Sequence, residues 1–161
     1  MGYTTNFTGS FLLDRQLELN HQNYLKAFSE TRRMERDPEK AALIQDRVRL
    51  AVGLPIGIEA GYFVAGTGLM GQNRDLSVVD GNRPPEGQPG LWCQWTPIDD
   101  GYGIQYNGDE KAYDYTEWLE YLIEHFLRPW GYVLNGQVSW QGEDSADSGV
   151  IYVKDNQVEA V

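Results

Sequence analysis

The stretch Gly66-Thr67-Gly68-Leu69-Met70-Gly71 has the spacing G-x-G-x-x-G, in which glycines let a backbone turn approach a pyrophosphate at a helix N-terminus. Tyr62-Phe63-Val64 before it could form the strand such a turn needs. The segment Gln72-Asn73-Arg74-Asp75-Leu76-Ser77 after it has no apolar helical stripe, so a glycine-rich loop is expected in place of a dinucleotide site. Three carboxylates, Glu143, Asp144 and Asp147, could offer oxygens to Ca²⁺ or Mg²⁺. Their spacing matches no EF-hand loop, and a solvated hairpin tip that discourages edge pairing is expected. Cys93 with His21 or His125 has the residue types of a thiolate nucleophile and its base. No local signature joins them, and a thiol inside an aromatic strand is ordinarily buried and inert. No catalytic residue, metal ligand or cofactor is therefore assigned.

Residue types suited to binding are more plentiful. Arg32, Arg33, Arg36, Lys40, Arg47 and Arg49 form the one basic concentration, which could grip a phosphate-bearing ligand. Glu30, Glu35, Asp37, Glu39 and Asp46 are interleaved with it, so mutual neutralisation along helices is the simpler expectation. Five tryptophans offer stacking surfaces, and most should be core. Trp92 and Trp95 are expected on one strand, facing the same side of a sheet. The candidate ligand or partner residues are therefore Arg32, Arg33 and Arg74 for phosphate, Trp92 and Trp95 for stacking, and Glu143, Asp144 and Asp147 for a basic partner.

Charge sets the partners these residues could meet. The 161 residues carry a net charge of −11, and it is unevenly placed. Residues 1–90 hold 10 basic and 11 acidic side chains, whereas residues 91–161 hold 3 and 13, a net of −10. Such a surface repels phosphate backbones and speeds encounter with basic surfaces, which disfavours direct nucleic-acid binding. Its plainer use is solubility. With 41% apolar and 12% aromatic residues the chain is too rich in core formers to be a disordered acidic tail. A single cysteine rules out an intramolecular disulfide, and no apolar run reaches the roughly 20 residues that span a bilayer. A cytoplasmic protein that neither spans nor binds a membrane is expected, and self-association is left open.

These residues must be held by a scaffold, and one domain over residues 1–161 is the default at this length. The alternating segment Tyr3–Leu13 predicts a strand, and residues 20–33 a helix facing inward through Tyr24, Leu25 and Phe28. Asp37-Pro38 predicts a second helix, ending at Gly53. Residues 53–90 hold nine of the 18 glycines and four of the seven prolines, and are expected to be a loop insertion that could carry a binding surface. Residues 91–95 and 103–106 predict a hairpin. Asp114 and Glu117 have the spacing of a capping box, and an apolar stripe from Tyr115 to Phe126 predicts a helix laid on a sheet. Strands over 132–141 and 149–158 complete the order. The fold class is α+β, with a mainly antiparallel sheet, helices on one face and the order of a ferredoxin-like sandwich.

Four segments carry a resemblance: Met1-Gly2-Tyr3-Thr4-Thr5-Asn6-Phe7-Thr8-Gly9, Ser29-Glu30-Thr31-Arg32-Arg33-Met34, the block from Arg83 to Trp95, and the tail from Leu134-Asn135-Gly136 to Asn156. Together they resemble a family of small uncharacterised proteins encoded by bacteriophages and prophages, across essentially the whole chain. The resemblance implies a phage or prophage accessory origin, and such proteins often interfere with host defence or host enzymes. It brings no catalytic residue or cofactor with it. The expectation is a non-enzymatic accessory protein in the host cytoplasm that blocks a host or defence protein through its acidic half and the glycine-rich loop. The alternatives are a protein that sequesters a small, nucleotide-like ligand, and an enzyme of unrecognised type.

Overall fold

The structure, a computed structural model, describes residues 4–65, 75–108 and 112–161. It contains two compact units, one formed by residues 1–17 and 94–161, the other by residues 18–93. Among the described residues, no helix is long and apolar enough to cross a membrane.

The first unit is a sheet with a helix on one face, and every strand pair in it is antiparallel. The strands β1 (Asn6–Thr8), β2 (Phe11–Leu13), β5 (Trp95–Pro97), β6 (Gly103–Tyr106), β7 (Leu134–Gln141), β8 (Ser148–Lys154) and β9 (Gln157–Ala160) lie in the order β5-β6-β2-β7-β8-β9, with β1 also on β7. β1 and β2 pair with successive parts of β7, Thr8 facing Ser139 and Phe11 facing Gly136, so the register does not change between them. They are one strand pinched at Gly9, whose φ is 103° and where a Cβ would come within 3.3 Å of the Gln137 carbonyl. The expected strand over 3–13 is thus present in its described part, with a glycine where Val138 crosses.

Alternation then decides the faces. Phe11, Leu13, Leu134, Val138, Ile151 and Val153 are buried, while Leu12, Asn135, Gln137, Ser139 and Tyr152 between them are exposed. The buried face is covered by α4 (Tyr115–Leu122), which runs on through a π-helical turn over Ile123–Leu127 and touches both β5 and β9. Trp118, Leu119, Leu122, Ile123 and Phe126 are all buried, as the stripe predicts. The capping box does not form: Asp114 is left-handed (φ 52°) and its side chain makes no capping bond. The expected 149–158 strand is likewise two strands. Asp155 (φ 48°) and Asn156 (φ 69°) fold it back as a two-residue turn of left-handed residues. The Asn156 side chain fixes that turn, accepting from Leu134 N at 2.7 Å and donating to the Tyr132 carbonyl at 2.9 Å.

The second unit holds α1 (Leu19–Glu30), a two-stranded ribbon of β3 (Glu35–Arg36) and β4 (Val78–Asp80), and the short helices α2 (Pro38–Ala41) and α3 (Arg47–Ala51). Asp37 caps α2, accepting from Glu39 N and Lys40 N, with Pro38 at the first helical position. The single helix expected up to Gly53 is broken, because Asp46 leaves helical geometry (φ −134°, ψ 67°) and turns its carboxylate inward. One Oδ2 of Asp46 accepts from Arg49 Nε at 3.0 Å and from Val64 N at 3.2 Å, so a partner eighteen residues on competes with helix continuation. Residues 53–90 contribute Ala60 and Phe63 to a small cluster with Ala41. The α+β class and the mainly antiparallel sheet agree with expectation. The ferredoxin-like arrangement is not confirmed: α1 belongs to the second unit, and among the described residues of the first unit the helical segment is α4 with its π-helical turn.

Candidate binding surface

Four of the six side chains of the basic cluster, Arg32, Arg33, Arg36 and Arg49, are engaged in internal bonds, while Lys40 and Arg47 are exposed. Arg33 is 2% exposed, lies over the Phe28 ring and donates to the carbonyls of Gly61 and Phe63. Arg32 donates to the Gly81 carbonyl and to Asn82 Oδ1. Buried Arg36 bonds Asp75 at 3.0 Å and Ser77 at 2.8 Å. These guanidinium groups tie the end of α1 and β3 to the glycine-rich segment, which is how loops lacking regular backbone pairing are commonly held. Burial alone would raise the pKa of Asp75. Hydrogen bonds from the Ser77 hydroxyl and amide and from Arg36, with the Arg36 charge, outweigh it and hold the carboxyl below its ordinary value. Arg74 and the Gly66–Gly71 motif lie outside the described residues.

The two tryptophans part company. Strand β5 begins at Trp95, so Trp92 precedes it, and residues three apart on a strand face opposite sides in any case. The shared face expected for them does not exist. Trp92 is half-buried in the second unit. Trp95 is 1% exposed, and its ring lies among Phe7, Phe11 and Tyr106 with centroids 5.5 to 5.9 Å away. Its Nε1 donates to the Tyr115 carbonyl at 2.8 Å, anchoring the start of α4 to β5. Cys93 is buried. His125 stacks on Tyr121 at 4.0 Å, and loss of hydration lowers its pKa, an effect the neighbouring Glu124 charge opposes.

The acidic tip between β7 and β8 is built from its own backbone. Asp147 N donates to the Asp144 carbonyl, Ala146 N to Asp144 Oδ1, and Gly142 N to the Asp147 carbonyl. Glu143 reaches back to accept from Thr4 N at 2.8 Å. Among the described residues, no three His, Cys, Asp or Glu side chains are grouped to hold a metal ion. The tip therefore presents its carboxylates outward, and the Asp147 and Glu117 charges add to burial in raising the pKa of Tyr115.

Two further surfaces of this unit were not singled out by sequence reasoning. On the sheet face away from α4, a groove of about 490 Å³ is lined by uncharged residues, both polar (Asn6, Thr8, Ser139, Gln141) and apolar (Trp140, Val150). At the edge of the sheet a second groove of about 320 Å³ runs between β9 and the helix, lined by Glu120, Ile123, Glu124, Arg128, Gln157 and Val158. Arg128 is tied to Glu124 at 2.9 Å. Among the described residues, Glu120 makes no ion pair. The Asp155-Asn156 dipeptide was the sequence signal that could have revealed this edge. Comparison of the chain with family models, with curated proteins and with solved structures finds no match.

Proposed function

We propose that the protein works by binding rather than catalysis, as a phage or prophage accessory protein that blocks a host or defence protein through its acidic unit in the host cytoplasm. The observation that supports this reading is where the carboxylates lie. In the first unit every described Asp and Glu is exposed, from Asp99 and Asp100 through Glu117, Glu120 and Glu124 to Glu143, Asp144, Asp147 and Glu159. Carboxylates solvated around a rigid sheet give a field of one sign, which accelerates encounter with a basic protein surface and penalises acidic ones. The alternative reading, a sequestered nucleotide-like ligand, has less support, since Arg32 and Arg33 already bond backbone carbonyls.

The test is a pull-down from a bacterial lysate with the full chain and with a Glu143→Gln, Asp144→Asn, Asp147→Asn variant, at about 50 mM and 0.15 M salt, followed by affinity measurement on the purified partner. The reading expects a partner with a basic contact surface, lost progressively with salt and weakened in the variant. A captured protein whose affinity responds neither to salt nor to these neutralisations would refute it.

A further inference from the structure

We infer that the open edge of β9 is a strand-addition site for an extended, basic peptide segment of a partner, seated in the groove between β9 and α4. The inference rests on the acidic-surface reading above and names the element of that surface that does the binding. Val161 and Val150 exchange both backbone hydrogen bonds, at 2.9 and 3.2 Å. In an antiparallel pair such residues alternate with ones whose N–H and C=O point away from the partner strand. With Ala160 opposite Ile151 and Val158 opposite Val153, the amides and carbonyls of Val158 and Ala160 therefore point out of the sheet. β9 is the last strand in the sheet order, so among the described residues four aligned main-chain groups have no strand beside them.

The groove specifies what that partner carries. An added strand would turn alternate side chains toward the helix, where Glu120, Ile123, Glu124 and Arg128 line the groove. On the other face it would meet Glu159. Glu124 is already tied to Arg128, so Lys or Arg at alternate positions answers Glu120 on the helix side and Glu159 on the other, and a β-branched or apolar residue fits beside Val158 and Ile123. The same charges disfavour the other ready occupant of a free edge, a second copy of this chain. Pairing β9 with β9 would bring Glu120 of two copies toward one face of the joined sheet and Glu159 of two copies toward the other.

The probe is a fluorescein-labelled hexapeptide of alternating Val and Lys, with a Val and Glu counterpart as control, titrated into the full chain by anisotropy at about 10 mM salt. Amide shifts are followed in parallel. The inference expects binding of the Lys peptide alone, with shifts centred on Val158, Ala160 and Glu120. Ala160→Pro removes an outward donor without touching the β8–β9 ladder and should weaken binding about tenfold, the size expected for one or two backbone hydrogen bonds. Glu120→Lys, on an exposed helical position, should weaken it similarly and serves as the independent variant if the proline perturbs the fold. Binding unchanged in both variants, with shifts on residues 143–147, would overturn the edge site while leaving the acidic surface intact. No binding of the Lys peptide, while a captured partner still binds in a salt-dependent way, would also overturn the edge alone. A dimer seen by light scattering and dissociated by Ala160→Pro would overturn it too, because the edge would then belong to a second copy.

Discussion

Trp95 tests whether the aromatic residues act as anchors for a partner or as the core that shapes the acidic unit. Truncation to Ala removes a 1%-exposed indole from among Phe7, Phe11 and Tyr106, and leaves the Tyr115 carbonyl without its donor. Large-to-small changes of this kind cost about 3–5 kcal/mol, the cavity adding to the lost transfer energy. A unit of this size gains or loses roughly 4–8 °C per kcal/mol, so melting should fall on the order of 20 °C. Trp95→Phe keeps a ring in the cluster but loses the bond to Tyr115, and should cost about 1–2 kcal/mol. Far-UV circular dichroism with urea or heat reads both, and avoids the fluorescence of the residue removed. A Trp95→Ala protein within about 1 kcal/mol of the parent that had lost partner binding would refute the core assignment and restore Trp95 as a surface anchor.

Three further outcomes follow from the geometry. Asp46→Ala strips the carboxylate from a buried ion pair with Arg49 and should destabilise the second unit by about 3–5 kcal/mol in denaturant titration, where a loss below about 1 kcal/mol would contradict the pairing. Gly103→Ala puts a Cβ onto the Phe11 carbonyl and 2.6 Å from Ile98 Cδ1, so the β2–β6 pairing should loosen at a cost of about 1–3 kcal/mol, with faster amide exchange at Leu13 and Ile104. Desolvation lowers the pKa of His125 in the folded chain, against the opposing Glu124 charge, so the unfolded chain binds the proton first. Its contribution is complete above the ordinary histidine value of about 6.5 and is lost as pH falls below it, which thermal melts of the parent and of His125→Gln between pH 5 and 8 should separate. A parent and variant with the same acid limb would show the reasoning to be wrong.

The parts of the fold legible in sequence were those fixed by local pattern. The stripe Trp118, Leu119, Leu122, Ile123, Phe126 announces a one-sided helix, and Asp37-Pro38 announces the start of α2, because periodicity and capping need only neighbours in the chain. Illegible features depended on distant partners. The break at Asp46 follows from Val64 N and from burial with Arg49. The failure of the capping box at Asp114 follows from a left-handed backbone that the residue type permits but does not require. The Asp155-Asn156 turn was hidden because neither residue is glycine, although Asn and Asp tolerate positive φ. Missing it merged β8 with β9 and concealed the free edge. Of the candidate residues, the acidic tip stands in solvent as sequence suggested, whereas Arg33 and Trp95 went to the interior through contacts no spacing rule describes.

The most direct test of the account is the salt dependence of partner binding. Raising salt from about 10 mM to 0.15 M shortens the screening length from about 30 Å to about 8 Å. If solvated carboxylates of the first unit steer and hold a basic partner, affinity should fall at least about tenfold over that range, chiefly in the association rate. An affinity and association rate that stay flat across it would contradict the claim that the acidic surface is what binds.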